Sequence, residues 1–385
     1  MHSNSDVDVT RPDANATTAI VFGTLLRDAQ EQWAGRNQLL LALSRYAPVV
    51  LLEQRHAGHK VPIPSIDKIA DNVFVVRNAL ALRTSRPGRR HSGVSAAIDG
   101  HLFRRSLRSV GIRDYVFWLT EADPVLIRGV PSRSLIYDCA DPNFLPQHQA
   151  SFDEAERQVA ERAVLTFSTA QSLLSKMKRI NQNSFLLPNA TSQDFLPDQT
   201  ATLPRPDGLE GIRSPMVGYL GTIDWRFDPD PVITAAQLLP DCTFAIVGRV
   251  NEDREDAVAP LRRLSNVVMP GQVDYEQGRA WVGAFDVGLI PFTVGPMNDA
   301  INPVKMYMYL MAGLPVVSTN VAECRRNPFV RAAANSEEFA AFVQECTRPD
   351  FESDAAKRTE FALLNTWEVR AHEAVALLRQ YGLLQ

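Results

Sequence analysis

The sequence predicts an α/β protein built from two Rossmann-like, doubly wound domains facing a cleft. Three observations predict it. Short apolar runs alternate with helical patterns through the 385 residues, the signature of parallel sheets covered by helices. An apolar run at 19–23 (AIVFG) opens one such series, and another at 216–221 (MVGYLG) opens a second. Between them the composition shifts to Pro, Thr, Gly and Asp, with Pro197, Pro204 and Pro206 in a linker over 196–214.

In the first half, the strand at 19–23 leads to a helix over 34–45 and a strand at 49–53. Further strands are expected at 73–76, 114–119 and 134–138. A long helix over 151–162 precedes a strand at 164–168, and 184–189 closes the half. In the second half, 216–221 is followed by a helix near 230–239, a strand at 243–248 and the apolar stretch 266–271. A helix over 275–284 and a strand at 287–292 come next, and an amphipathic helix near 368–381 ends the series. Open sheets of this kind bind ligands outside the carboxyl ends of their strands.

Composition narrows the function. A net charge of -4 argues against a general nucleic-acid binder, and 45% hydrophobic residues fit a globular chain. Cys139, Cys242, Cys324 and Cys346 have neither metal-ligand nor disulfide-framework spacing, which points to a reducing, cytoplasmic setting. No run reaches the roughly 18 apolar residues of a membrane span. Residues 1–17 are polar and read as a disordered tail.

The most informative segment is 301–318. Asn302 suits an N-cap and Pro303 a first helical position, so free backbone N–H groups at that turn can hold phosphate. Lys305 stands in the first turn, where a cation opposes the helix dipole unless an anionic ligand offsets it. Gly313 ends the helix, and Pro315-Val316-Val317 begins a strand. An ordinary helix-to-strand connection with a solvated lysine is the alternative.

This segment also resembles the nucleotide-sugar helix of GT-B glycosyltransferases, particularly bacterial group 1 (family 4-like) enzymes that assemble surface polysaccharides. Pro303, Lys305, Tyr309, Gly313, Pro315, Val316 and Val317 match the family pattern. Met308 stands where the family has a glutamate, and Ala300 stands at the other acidic position, with Asp299 beside it. The resemblance implies an N-terminal acceptor-binding domain over 18–195, a nucleotide-sugar-binding domain over 215–367, and a helix at 368–385 crossing back to the first domain. Trp367 then lies at the hinge. It implies no cofactor and no metal, only a nucleotide-diphosphate sugar as co-substrate, UDP ahead of GDP, and a saccharide or lipid-linked saccharide acceptor.

Candidate site residues follow from both sources. Gly221 and Thr222 end the strand at 216–221 and resemble the family's G-Y-x-G loop, which faces the donor phosphates. Arg226 could pair bidentately with a diphosphate, or be a surface arginine beside a tryptophan. Asp228-Pro229-Asp230 formally matches a D-x-D metal pattern but better starts a helix. By resemblance, Gly248, Arg249, Tyr275 and Phe292 frame the nucleotide, and Asn302, Pro303, Val304, Lys305 and Tyr309 complete the donor site.

In the first half, Asp138 and Asp141 follow a strand. Asp141 is the leading general base if the reaction inverts, because the acceptor hydroxyl must lose its proton as the phosphate leaves. A turn aspartate before Pro142 is the alternative. Glu121 is a second candidate, and Arg36, in a W-x-x-R segment, is an acceptor contact along with Asp138. Retention or inversion stays open.

The segment 83–113 holds Arg83, Arg86, Arg89, Arg90, Arg104, Arg105, Arg108 and Arg113 against Asp99 alone. With Val94, Ile98, Leu102, Phe103 and Leu107 interleaved, it reads as a basic amphipathic helix for an anionic membrane surface at the inner face of the cell membrane, or as a solvated basic loop. Two other readings of the chain remain: a GT-B nucleotide-sugar 2-epimerase, and a catalytically inactive nucleotide-sugar-binding partner. The first needs a histidine near the donor sugar, and 189–365 contains none.

Overall fold

A computed structural model describes residues 18–26, 35–53, 65–77, 104–105, 107–122, 135–142, 149–201, 203–206, 209, 215–349, 351 and 354–385. The first domain is an eight-stranded sheet, β1 (Ala19–Leu26), β2 (Val49–Glu53), β3 (Ser65–Ala70), β4 (Val73–Arg77), β5 (Tyr115–Leu119), β6 (Leu135–Cys139), β7 (Leu165–Ser168) and β8 (Ser184–Leu186). Its spatial order is β3-β4-β2-β1-β5-β6-β7-β8. All neighbours are parallel except β3 and β4; β4 is the strand expected at 73–76, whereas its antiparallel edge partner β3 was not revealed by strand patterning. The β3 sequence SIDKIA is half polar, as an edge strand can be.

The second domain is a six-stranded parallel sheet in the order β11-β10-β9-β12-β13-β14. Its strands are β9 (Met216–Leu220), β10 (Thr243–Val247), β11 (Val267–Gly271), β12 (Val287–Ile290), β13 (Val316–Thr319) and β14 (Val330–Ala333). The order reverses between β9 and β12, which makes a crevice at their carboxyl ends.

Nine helices matter here: α1 (Gln38–Leu43), α2 (Gln149–Arg162), α3 (Gln171–Lys178), α4 (Asp230–Leu238), α5 (Tyr275–Ala284), α6 (Val304–Met311), α7 (Ser336–Cys346), α8 (Ala355–Leu363) and α9 (Trp367–Gln380). The final helix does cross back. Trp367, Ala371, Ala374, Val375 and Leu378 of α9 are buried with Ile20, Leu39 and Leu43 of the first domain. At the crossing, the Trp367 N–H donates to Thr191 O at 3.2 Å. The expected linker is partly packed, because Leu209 belongs to the second domain's core and Leu196 packs against it. The tail 1–17 and most of 83–113 lie outside the described residues.

Candidate active site

The donor side forms where β9 and β10 end. Gly221 turns at φ 148° and donates its N–H to Val247 O at 2.9 Å. Beside it Gly248 turns at φ 144°, and a Cβ there would lie 2.0 Å from Gly221 O. The two loops fit together only because Gly248 lacks a side chain. Thr222 and Arg249 are exposed at their rims.

The helix of the 301–318 segment begins differently from its sequence expectation. Helix α6 starts at Val304 with Pro303 as its cap residue, and no side chain caps it. Asn302 is not the N-cap, because its side chain is committed across the domain interface. Its Oδ1 accepts the Asn189 N–H at 3.0 Å, and its carbonyl accepts Asn189 Nδ2 at 2.6 Å. The first-turn amides of Val304 and Lys305 are thereby left without a side-chain acceptor, as a phosphate site requires.

Lys305 projects from this turn into an aromatic cage. Its ammonium lies 5.0 Å from the Tyr219 ring centroid and 4.8 Å from that of Phe292. A Cβ on Gly221 would sit 3.2 Å from the Lys305 Nζ, so the glycine leaves the cation its room. Dehydration first, and then the charge of Arg226, push the Lys305 pKa down to about 8, against the pull of Asp224. Ring faces offset only part of the lost hydration. The result is a cation that gains from an incoming anion.

Arg226 is not a free guanidinium. Its Nε bonds both Asp224 oxygens at 3.0 Å, and Nη2 bonds Asp224 as well. Burial alone would raise the Asp224 carboxyl, but the Arg226 bonds bring it below the ordinary carboxylate range. The pair forms a partly neutralised wall, with Arg226 turned electrostatically toward Asp141 of the other domain.

Tyr309 is fully buried, and its hydroxyl accepts the Leu220 N–H at 2.8 Å. It therefore supports the end of β9 from beneath. Phe292 is buried under Lys305. Tyr275 stands at the interdomain crossing: its hydroxyl donates to Asp194 Oδ2 at 3.0 Å and accepts from Gln38 Nε2 at 3.4 Å. Burial pushes its pKa up to about 12. The Asp228-Pro229-Asp230 run starts α4, with Asp228 Oδ1 accepting the Asp230 N–H at 3.1 Å. Among the described residues, no group of three or more His, Cys, Asp or Glu is placed to hold a metal ion.

The acidic position that Ala300 occupies is not recovered by its neighbour. Ala300 is only 6% exposed and packs with the first domain's Ala170 and Leu173. The adjacent Asp299 spends its Oδ1 on the Ala322 N–H at 2.7 Å.

On the acceptor side, a cavity of about 300 Å³ opens at the carboxyl ends of β5 and β6. It brings together Arg36, Glu121, Asp138 and Asp141, four residues singled out from the sequence. Asp138, however, does not follow the strand; it is the fourth residue of β6 and is 1% exposed. Arg36 bonds it through Nε at 3.0 Å and Nη2 at 2.7 Å, and Trp118 Nε1 donates to it at 3.0 Å. The remaining Arg36 donor, Nη1, reaches Leu187 O at 3.1 Å and Asn189 Oδ1 at 3.3 Å. Arg36 and Asp138 thus line the cavity as a bonded pair, with their polar atoms largely engaged by the protein.

Asp141 does face the cleft. The residue is exposed at the cleft, and the protein around it partly desolvates its carboxyl and raises its pKa; Arg226 and Arg36 pull it back and Asp138 adds to the rise. A carboxyl poised this way can accept a proton from a hydroxyl. Sequence reasoning missed Asn189, Asp224 and Trp118, because an isolated Asn, Asp or Trp has no spacing signature; each acquires its part only through a partner distant in the chain.

Comparisons with known proteins bear on this geometry. Residues 214–348 match the family model of glycosyl transferases group 1. A putative teichuronic acid biosynthesis glycosyltransferase, TuaH of Bacillus subtilis (strain 168), is 30% identical over 143 residues. That match covers 37% of this chain and spans about a third, 35%, of the relative's length. Sucrose-phosphate synthase from Thermosynechococcus elongatus has a similar structure, with TM-score 0.69 at 16% identity over 94% of this chain and 98% of its own. The trehalose 6-phosphate synthase of Burkholderia multivorans gives 0.70 at 11% identity, over 96% and 99%. Anabaena HepE in complex with UDP and glucose gives 0.67 at 15%, over 94% and 100%.

Proposed function

We propose, from a second domain that matches the family model of group 1 glycosyl transferases and from a two-domain GT-B fold, that the protein is a metal-independent glycosyltransferase. It moves a sugar from a nucleotide-diphosphate donor to a saccharide or lipid-linked saccharide acceptor in cell-surface glycan synthesis. One observation supports this most: Lys305 and the uncapped first turn of α6 converge beside Gly221, at the switch point of the second sheet. Lys305 and the Val304 and Lys305 amides hold the diphosphate and absorb the charge that develops as it leaves, which serves the transition state more than the ground state.

The HepE complex contains UDP and glucose, which supports UDP as the nucleotide. Asp141 faces this site from the first domain and receives the acceptor proton in an inverting reaction. In a retaining reaction the leaving phosphate takes that proton, and Asp141 orients the hydroxyl. For a lipid-linked acceptor, the basic face at the described end of 83–113 supplies attraction to anionic lipid: Leu107 is buried while Arg105, Arg108 and Arg113 are exposed. Such docking would be at the cytoplasmic side of the membrane.

Calorimetric titration of UDP into the wild type and Lys305→Ala tests the donor site. We expect a loss of about 2–3 kcal/mol, roughly 30- to 150-fold, for removal of a charged contact to phosphate. Equal affinity in the two proteins contradicts the assignment. A nucleotide sugar that binds without turnover would leave a catalytically inactive partner protein, the reading that Met308 and Ala300 favour.

A further inference from the structure

A continuous set of hydrogen bonds runs from the acceptor domain to the donor helix. Trp118 Nε1 and Arg36 both bond Asp138; Arg36 Nη1 bonds Asn189 Oδ1; Asn189 then grips Asn302 twice, through its N–H and its Nδ2. Asn189 and Asn302 are 8% and 3% exposed, so neither bond competes freely with water. The two ends of the chain have matching positions. Asp138 lies three residues before Asp141, and Asn302 lies three residues before Lys305.

We propose that Asn189, oriented by Arg36, is a positioning residue that fixes the acceptor-side carboxylates relative to the donor cation, so that donor occupancy is transmitted between the domains. The inference rests on the donor site proposed above. A contiguous bonded element can carry rigid coupling of this kind, and this one is hydrogen-bonded at each step. The donor pocket itself, Lys305, Gly221, Tyr219 and Phe292, lies wholly in the second domain. Cutting the chain at Asn189 should therefore spare nucleotide affinity and abolish transmission.

Asn189→Asp makes this cut selectively. Its carboxylate still accepts from Arg36 and its backbone N–H still faces Asn302 Oδ1, but the side chain no longer donates to Asn302 O and instead repels that carbonyl, which loosens the grip on Asn302. The measurement is amide hydrogen exchange of 135–142 with and without saturating UDP, alongside calorimetry for UDP. In the wild type, UDP should slow exchange in that segment by about fivefold or more. In Asn189→Asp the slowing should fall below about twofold, while the UDP Kd stays within about twofold of wild type.

Persistent slowing in the variant, absence of slowing in the wild type, or a tenfold loss of UDP affinity in the variant would each overturn the proposal. If Asn189→Asp does not fold, Arg36→Lys gives the same test, since it keeps a charge for Asp138 but loses the reach to Asn189. Lys305→Ala separates the two ideas: unchanged UDP affinity there removes the donor site itself, whereas weakened binding there with persistent slowing in Asn189→Asp removes only the coupling.

Discussion

Lys305 should take up a proton when UDP binds. In the free protein its pKa is held at about 8, below the model-peptide value near 10.4, chiefly because its ammonium is dehydrated between Tyr219, Phe292 and Gly221. A diphosphate placed against it favours the charged form and returns the pKa toward or above the ordinary value. At pH 8 about half of the free molecules carry an uncharged Lys305, so binding should draw about half a proton from the buffer. Affinity should then fall as pH rises through 8, approaching tenfold per pH unit between about 9 and 10.

The assay is calorimetry at pH 8 in buffers of different ionisation enthalpy, with Lys305→Met as the baseline that removes contributions from UDP and other groups. Equal proton uptake in both proteins, or an affinity independent of pH from 8 to 9.5, refutes the reasoning. The same depressed pKa has a stability consequence. The folded state binds the Lys305 proton less well than the unfolded chain, so this group lowers stability below pH 8, and the loss is recovered between about pH 8 and 10.4. At pH 7, Lys305→Met should raise the melting temperature of the ligand-free protein while it weakens UDP binding, a trade of stability against function.

Gly248→Ala should cost about 2–3 kcal/mol and abolish UDP binding, because the new Cβ collides with Gly221 O at a backbone angle L residues avoid; thermal melts and calorimetry check this. Asp141→Asn should retain UDP affinity within about twofold yet lower transfer by 100-fold or more if Asp141 is the base of an inverting reaction; a full rate would assign it no part in proton transfer. Trp118→Phe leaves Asp138 short of one buried donor and should destabilise by about 1–3 kcal/mol in denaturant titrations. Flotation with anionic liposomes should recover more protein than flotation with neutral ones, and equal recovery would exclude the basic segment as a docking face.

The strand pattern was legible because buried parallel strands read as unbroken apolar runs, as at β5 (YVFWL) and β10 (TFAIV). The antiparallel edge β3 was not, since its polar residues give no such run. In the site, Gly221, Lys305 and the α6 turn could be read from local order, because a helix start and a glycine loop are local devices. Asn302 could not. Local preference makes it a cap, but a buried pair with Asn189, 113 residues away, captures the side chain first. Arg36 and Arg226 show the same limit: sequence identifies a guanidinium but not the carboxylate, Asp138 or Asp224, that claims it.

Transfer of a sugar across this cleft is measured most directly as nucleotide release from a panel of UDP- and GDP-sugars, with and without saccharide acceptors, by wild type and Lys305→Ala. Acceptor-dependent release of nucleotide by the wild type, lost in Lys305→Ala, is the predicted result. Release that persists undiminished in Lys305→Ala would contradict it.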